Sequence, residues 1–151
     1  HNPPEGETEV TLNKQVLLAV SRLIPPGSTV ATQNDIFPHL SHNLWAFPDY
    51  YDFMQYDYIL VKTRSPWYSK YLLVTTKVIL NSTPLSDVVQ NLIERGTYGV
   101  LISIDDIILL KRNYSGSPLI NFTGYLGESA GIYEQIIYVI THLANSSKST
   151  S

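Results

Sequence analysis

The segments Tyr98–Ile104 and Ile107–Arg112 are rich in Ile, Leu and Val, and only Asp105 and Asp106 separate them. Such side chains fit a pleated, buried surface, and Asp favours tight turns through hydrogen bonds to nearby backbone. The pair therefore reads as a β-hairpin, although neither turn position is Gly, which points to a loop longer than two residues. A lone hairpin is not stable in water and must lay an apolar face against other elements. Helical patterns flank it in sequence. Pro84–Arg95 carries Leu85, Val88, Val89, Leu92 and Ile93 as a stripe and stops at Gly96, and Ser129–Asn145 is amphipathic.

The first half repeats the alternation. Thr8 or Thr11 is placed to cap a helix with the stripe Val16, Leu17, Val20, Leu23 and Ile24, which Pro25-Pro26-Gly27 ends. Ser28–Thr32, Leu44–Phe47 and Tyr56–Thr63 read as strands, the last being β-branched and aromatic. Asn34–Ser41 reads as a loop or a helical turn, Ser65–Tyr68 as a helix start, Leu72–Leu80 as helix passing into irregular chain, and residues 114–128 as a connector. Strands interleaved with helices imply an α/β layered sandwich: a short mixed sheet with a hairpin in its C-terminal half, flanked by about three or four helices. A chain of 151 residues fits one domain, here residues 8–145, with an extended leader at 1–7 and a polar tail at 146–151.

Charge narrows the partners. Only 15% of the residues are charged, against roughly 25% in an average soluble domain. The net charge is −3, with ten Lys and Arg, so there is no electrostatic footprint for nucleic acid or an anionic membrane surface. Cysteine is absent, which excludes disulfides and thiolate metal sites. Four Asn-x-Ser/Thr sequons stand at Asn81, Asn113, Asn121 and Asn145, where chance would place about two, and they fall where loops or termini are expected. This points to an exported, extracellular glycoprotein. No run reaches the roughly 18 apolar residues of a membrane span, and a chain starting at His1 reads as a matured product or a piece of a longer one.

Catalytic motifs are scarce. His39 and His42, with Asp35 or Asp49, have chelating spacing, but a useful site needs three convergent ligands and Pro38 breaks a regular helix; no metal is expected. Asp49, Asp52 and Asp57 lie among Tyr50, Tyr51, Phe53, Tyr56 and Tyr58, the composition of a glycosidase cleft and equally of a solvent-facing loop over a core. Asp105-Asp106 reads as a turn before it reads as a donor-binding acidic pair. Neither a phosphate loop nor a Gly-x-Ser-x-Gly elbow is present, so neither catalytic residues nor a cofactor are assigned. Trp45, Tyr50, Tyr51, Trp67 and Tyr68 form a candidate recognition surface for glycan or protein, since such rings join an apolar face to a polar handle. In the last helix, Tyr133, Ile137 and Tyr138 are candidates for contact with another subunit or a membrane region.

The stretches IPPGSTVATQNDIFPHLSH, FPDYY, YDYILV and SPWYSKY, with LIERGTYGVLISIDDIILLKR farther on, resemble one family. It is the C-terminal soluble region of predicted multi-pass membrane proteins, mostly archaeal and bacterial, grouped as domain of unknown function 2079. The likeness spans Val16 to Arg112; residues 72–83 look longer than the family's connection, and residues 114–151 match nothing in it. The membrane part of that family is similar to glycosyltransferases using lipid-linked sugars, with catalysis by acidic residues in its own loops. The resemblance implies a non-catalytic, outward-facing domain that binds an acceptor or braces the membrane part. The alternative expectation is a released surface glycoprotein that assembles with copies of itself into a filament or lattice.

Overall fold

The hairpin forms the middle of the sheet. The computed structural model describes residues 5–33, 36, 56–69, 84–122 and 130–149. The expected strand at Leu44–Phe47, the segment 72–80 and residues Trp45, Tyr50, Tyr51, Asn81, Asp35, His39, His42, Asp49 and Asp52 lie outside them. In chain order the elements are α1 (Glu5–Ser21), β1 (Val30–Thr32), β2 (Tyr58–Lys62), α2 (Pro66–Ser69), α3 (Leu85–Glu94), β3 (Tyr98–Ile104), β4 (Ile107–Arg112), β5 (Ile120–Phe122) and α4 (Ala130–Ser149). The five strands lie in the order β1-β2-β4-β3-β5. Strands β1 and β2 are parallel, β4 runs against both β2 and β3, and β5 is parallel to β3. This is the α/β class expected from the alternation of patterns.

Side-chain alternation makes the sheet two-sided. Along β2, Tyr58 and Leu60 join α1 residues Val16, Leu17 and Val20 and α4 residues Ile136 and Ile140 in one core. Ile59 and Val61 face the other way, into a second core with Tyr68, Leu85, Val89 and Leu92 from α2 and α3. β3 serves both cores through a bulge. Val100 pairs with Leu110 and Ile102 with Leu109, which leaves Leu101 without a directly opposed residue. The extra residue reverses the alternation, so Tyr98 sits in the second core while Ile102 and Ile104 sit in the first.

Local chemistry sets the ends. Gly96 takes φ +75 just past α3. Its N–H donates to the Ile93 carbonyl at 3.0 Å and that of Thr97 to Leu92 at 3.1 Å, a Schellman closure. α1 starts at Glu5, inside the segment expected as an extended leader, and α4 runs to Ser149, through most of the expected polar tail. Both extensions are polar turns added to a helix whose apolar face is docked. β5 lies within the expected connector; three residues are too few to show a period. The hairpin loop is two residues long, since Ile104 pairs with Ile107, so the expectation of a longer loop is corrected. Asp105 reaches φ +54 there, a value its short polar side chain tolerates.

Gly99 lies where the chain passes itself: a Cβ on it would stand 2.0 Å from the Tyr114 carbonyl oxygen. Gly99→Ala should cost about 3 kcal/mol in urea denaturation, at the upper end of overpacking because the obstacle is backbone. Gly116→Ala, whose Cβ meets only the Tyr114 hydroxyl end, should cost less than about 1 kcal/mol.

Burial, and then the negative charge of Asp57, raises the Tyr58 hydroxyl pKa above its ordinary 10.0. Burial, and then Asp87, does the same for Tyr68. The folded state holds these protons more tightly than the unfolded one. The stability so gained is full below pH 10.0 and is lost as pH rises through the raised folded values. Urea midpoints should be level with respect to these groups below pH 10.0 and fall above it, and Tyr68→Phe should flatten part of that fall.

Candidate functional site

Four strands, β1, β2, β3 and β5, end on the same edge of the sheet, because β4 alone runs the other way. Crevices beyond the carboxyl ends of strands are where open α/β sheets bind ligands. That edge holds a polar cluster. The Arg64 guanidinium, two residues past β2, forks onto Asp105: Nη2 donates to Oδ2 at 2.9 Å and Nη1 to Oδ1. Nη2 also lies 3.6 Å from Asp106 Oδ1. From α1, Asn13 Nδ2 donates to Asp106 Oδ1 at 2.8 Å and to Asp105 Oδ2 at 3.4 Å. Backbone ties complete it. The Thr63 N–H donates to the Asp106 carbonyl at 2.8 Å and the Asp105 N–H to the Phe122 carbonyl at 2.9 Å. Beside the cluster, buried Gln33 continues β1 by accepting from the Lys62 N–H at 2.9 Å.

This arrangement fastens α1, β2 and β5 to the hairpin turn. Asp105 and Asp106 have nearly buried side chains whose oxygens accept from a cation and an amide, as buried carboxylates require. Asn13 Oδ1 is buried and accepts no hydrogen bond from the protein. No sequence motif marks Asn13 or Arg64. The available signal was positional: Asn13 falls on the helical stripe shared by Val16, Leu17, Val20 and Ile24.

Of the glycosidase candidates Asp49, Asp52 and Asp57, only Asp57 lies among the described residues. Asp57 precedes β2, at the opposite end of the sheet from Asp105. Five strand residues at about 3.3 Å each separate the two by about 16 Å. Asp57 is also engaged locally. Its Oδ2 accepts from the Thr29 N–H at 3.0 Å, its own N–H donates to Thr29 Oγ1 at 2.8 Å, and Arg112 Nη2 donates to its Oδ1 at 3.2 Å. Among the described residues no three His, Asp or Glu groups are grouped to hold a metal.

The surface candidates divide. Trp67 is 40% exposed, whereas Tyr68, expected beside it on a recognition surface, is buried in the second core. The short helix α2 turns consecutive residues in different directions, so the two cannot share one face. On α4, Tyr133 donates its hydroxyl to Gln15 Oε1 of α1, and Ile137 packs against the first core. Tyr138 points outward, 73% exposed, beside Val139 at 42%. Its ring stacks on His142 at 6.4 Å between centroids, and Tyr138 and Val139 border a shallow depression with Gly131, Glu134 and Gln135. Among the described residues, no helix is long and apolar enough to cross a membrane.

Three sequon asparagines are described, and all are exposed. Asn113 follows β4 in a turn with φ +61, as expected of a loop site. Asn121 is the middle residue of β5, and Asn145 lies within α4; neither is in the loop or terminus expected for it.

Asn13→Ala should lower stability by about 1–3 kcal/mol, the cost of leaving a buried carboxylate without its donor. A double-mutant cycle with Asp106→Ala should return a coupling of about 0.5–3 kcal/mol, and strict additivity would deny the contact. Compared with family models, with curated proteins and with solved structures, the chain matches none.

Proposed function

We propose that this chain is an outward-facing, non-catalytic domain of a multi-pass membrane protein of the kind it resembles in sequence, domain of unknown function 2079, and that it binds or braces the membrane part. Any glycosyl transfer would belong to that membrane part. The observation that carries the reading is the outer face of α4, where Tyr138 and Val139 are 73% and 42% exposed on a helix whose opposite face is docked. An aromatic ring with a polar tip beside a branched aliphatic residue is the composition of an interface core. The engagement of Asp57, Asp105 and Asp106 in internal ties gives further support, because their oxygens are taken up in fastening strands. Exposure of Asn113, Asn121 and Asn145 is compatible with an N-glycosylated exterior.

A second reading, a released glycoprotein that assembles with copies of itself, is favoured by the same face, with Tyr138 and Val139 meeting a second copy. Membrane fractionation separates the two. Antibodies against the chain should detect a membrane-bound polypeptide much larger than 17.0 kDa, digestible by protease added outside intact cells. A 17.0 kDa species confined to the cell interior would overturn both readings, and one shed into the medium would favour the second. Tyr138→Glu should change the stability of the chain alone by no more than about 0.5 kcal/mol, since the ring packs on the surface. In the membrane-bound protein the same change should increase cleavage by external protease.

A further inference from the structure

We propose that an N-linked oligosaccharide on Asn121 guards the edge of the sheet at β5. The inference rests on the exported reading above. β5 is the terminal strand of the sheet among the described residues, paired with β3 by Ile102 to Ile120, Ser103 to Asn121 and Ile104 to Phe122. A terminal strand offers unpaired backbone donors and acceptors to any other strand, and proteins blunt such edges with charge, an edge Pro, a bulge or a cover. This strand is short, but it carries no charge, and no charged residue occurs from Asn113 to Gly127. Leu119, just before it, is 52% exposed. The edge is therefore without a charged guard, and Pro118 lies outside the strand, before Leu119.

Asn121 is the one residue of β5 placed to change that. Ile120 and Phe122 pack against the first core, so alternation directs the Asn121 side chain to the other face of the sheet, where it is exposed. Asn121-Phe122-Thr123 is a sequon with no Pro in the middle position. The strand spans only about 10 Å, within reach of one branched sugar chain attached at its centre. The other described sequons guard nothing comparable. Asn113 follows β4, which is hydrogen-bonded on both sides, and Asn145 stands on a helix. The transfer is redox-neutral and draws on a lipid-linked oligosaccharide. The bond from the sugar's anomeric carbon to the lipid phosphate oxygen breaks as the bond to Asn121 Nδ2 forms. Nδ2 gives up one proton, and the lipid phosphate leaves.

The test uses the full chain from its native source and from a secretory host that attaches N-glycans, with peptide mass mapping of each sequon and light scattering at micromolar concentration. Asn121 should be occupied and the glycoprotein monomeric through this edge. Asn121→Gln and Thr123→Ala should self-associate, with at least a doubling of mass, while Asn113→Gln and Asn145→Gln should not. Asn121→Lys should restore the monomer without sugar, because an edge charge replaces the guard, a rescue that mere misfolding does not give. Thr123→Ala leaves Ile120–Phe122 unchanged, which separates loss of the sugar from a strand defect. Sugar on Asn113 or Asn145 with Asn121 bare would overturn this inference and leave the exported reading standing. Absence of sugar from every sequon of the native material would overturn the guard and remove the glycoprotein part of that reading. A monomeric Asn121→Gln, or association through β5 despite an occupied Asn121, would also overturn it.

Discussion

Strand β4 carries neighbours on both sides and helices over both faces, and most of the architecture follows from that position. Ile107, Leu109 and Leu110 are fully buried, and half-buried Ile108 packs on the second core. A strand so placed has no solvated side, which explains an apolar run where an alternating one would be expected of an exposed hairpin. Because β4 alone runs against the other four strands, it gathers their carboxyl ends on one edge, where the turn Asp105-Asp106 meets Arg64 and Asn13. The bulge at Leu101 completes the design by letting β3 supply Tyr98 to one core and Ile102 and Ile104 to the other. Tyr98 then donates its hydroxyl to the Tyr56 carbonyl at 2.6 Å, joining the start of β3 to the approach to β2.

What could be read in the sequence was whatever repeats. Of the stripe Val16, Leu17, Val20, Leu23 and Ile24, all but half-buried Leu23 are buried, although α1 ends at Ser21, before the last two. The Pro84–Arg95 pattern differs from α3 by one residue at each end. Tyr58–Lys62 and the hairpin strands fell where β-branched composition placed them. Features that depend on one residue meeting another far along the chain were not legible. The bulge shifts alternation by a single position inside an apolar run, so no polar residue marks it. β5 exists because Leu119–Phe122 meets β3, and its own three residues carry no period. Tyr68 shares its sequence neighbourhood with Trp67 and yet belongs to the core, since a four-residue helix assigns sides by rotation, not by composition.

The small number of charges acquires a structural reason. Asp57 with Arg112, and Asp105 and Asp106 with Arg64, occupy acidic groups in fastening strand ends. Each tie joins segments far apart in sequence and satisfies backbone or amide donors that a sheet edge would otherwise leave bare. A chain in which 15% of residues are charged, and which uses several of those internally, presents a surface hydrated mainly by hydroxyls and amides. The exposed apolar groups Tyr138, Val139 and Leu119 stand out against such a background more than they would on an ionic one.

On the exported reading, that choice has a physical advantage. Charged guards act through fields that fade over about 10 Å at 0.1 M salt and about 3 Å at 1 M, and acid neutralises those that are carboxylates. A sugar chain excludes neighbours by volume and hydration, neither of which depends on ionic strength or on a carboxylate pKa. The internal ties are less exposed to screening, because Asp105 and Asp106 have nearly buried side chains and hold their partners by direct hydrogen bonds. Few charges overall, several of them tied to one another at strand ends, are therefore a consistent answer to a changeable medium. On this background the α4 face offers exposed Tyr138 and Val139 for an apolar contact, with Glu134 beside them.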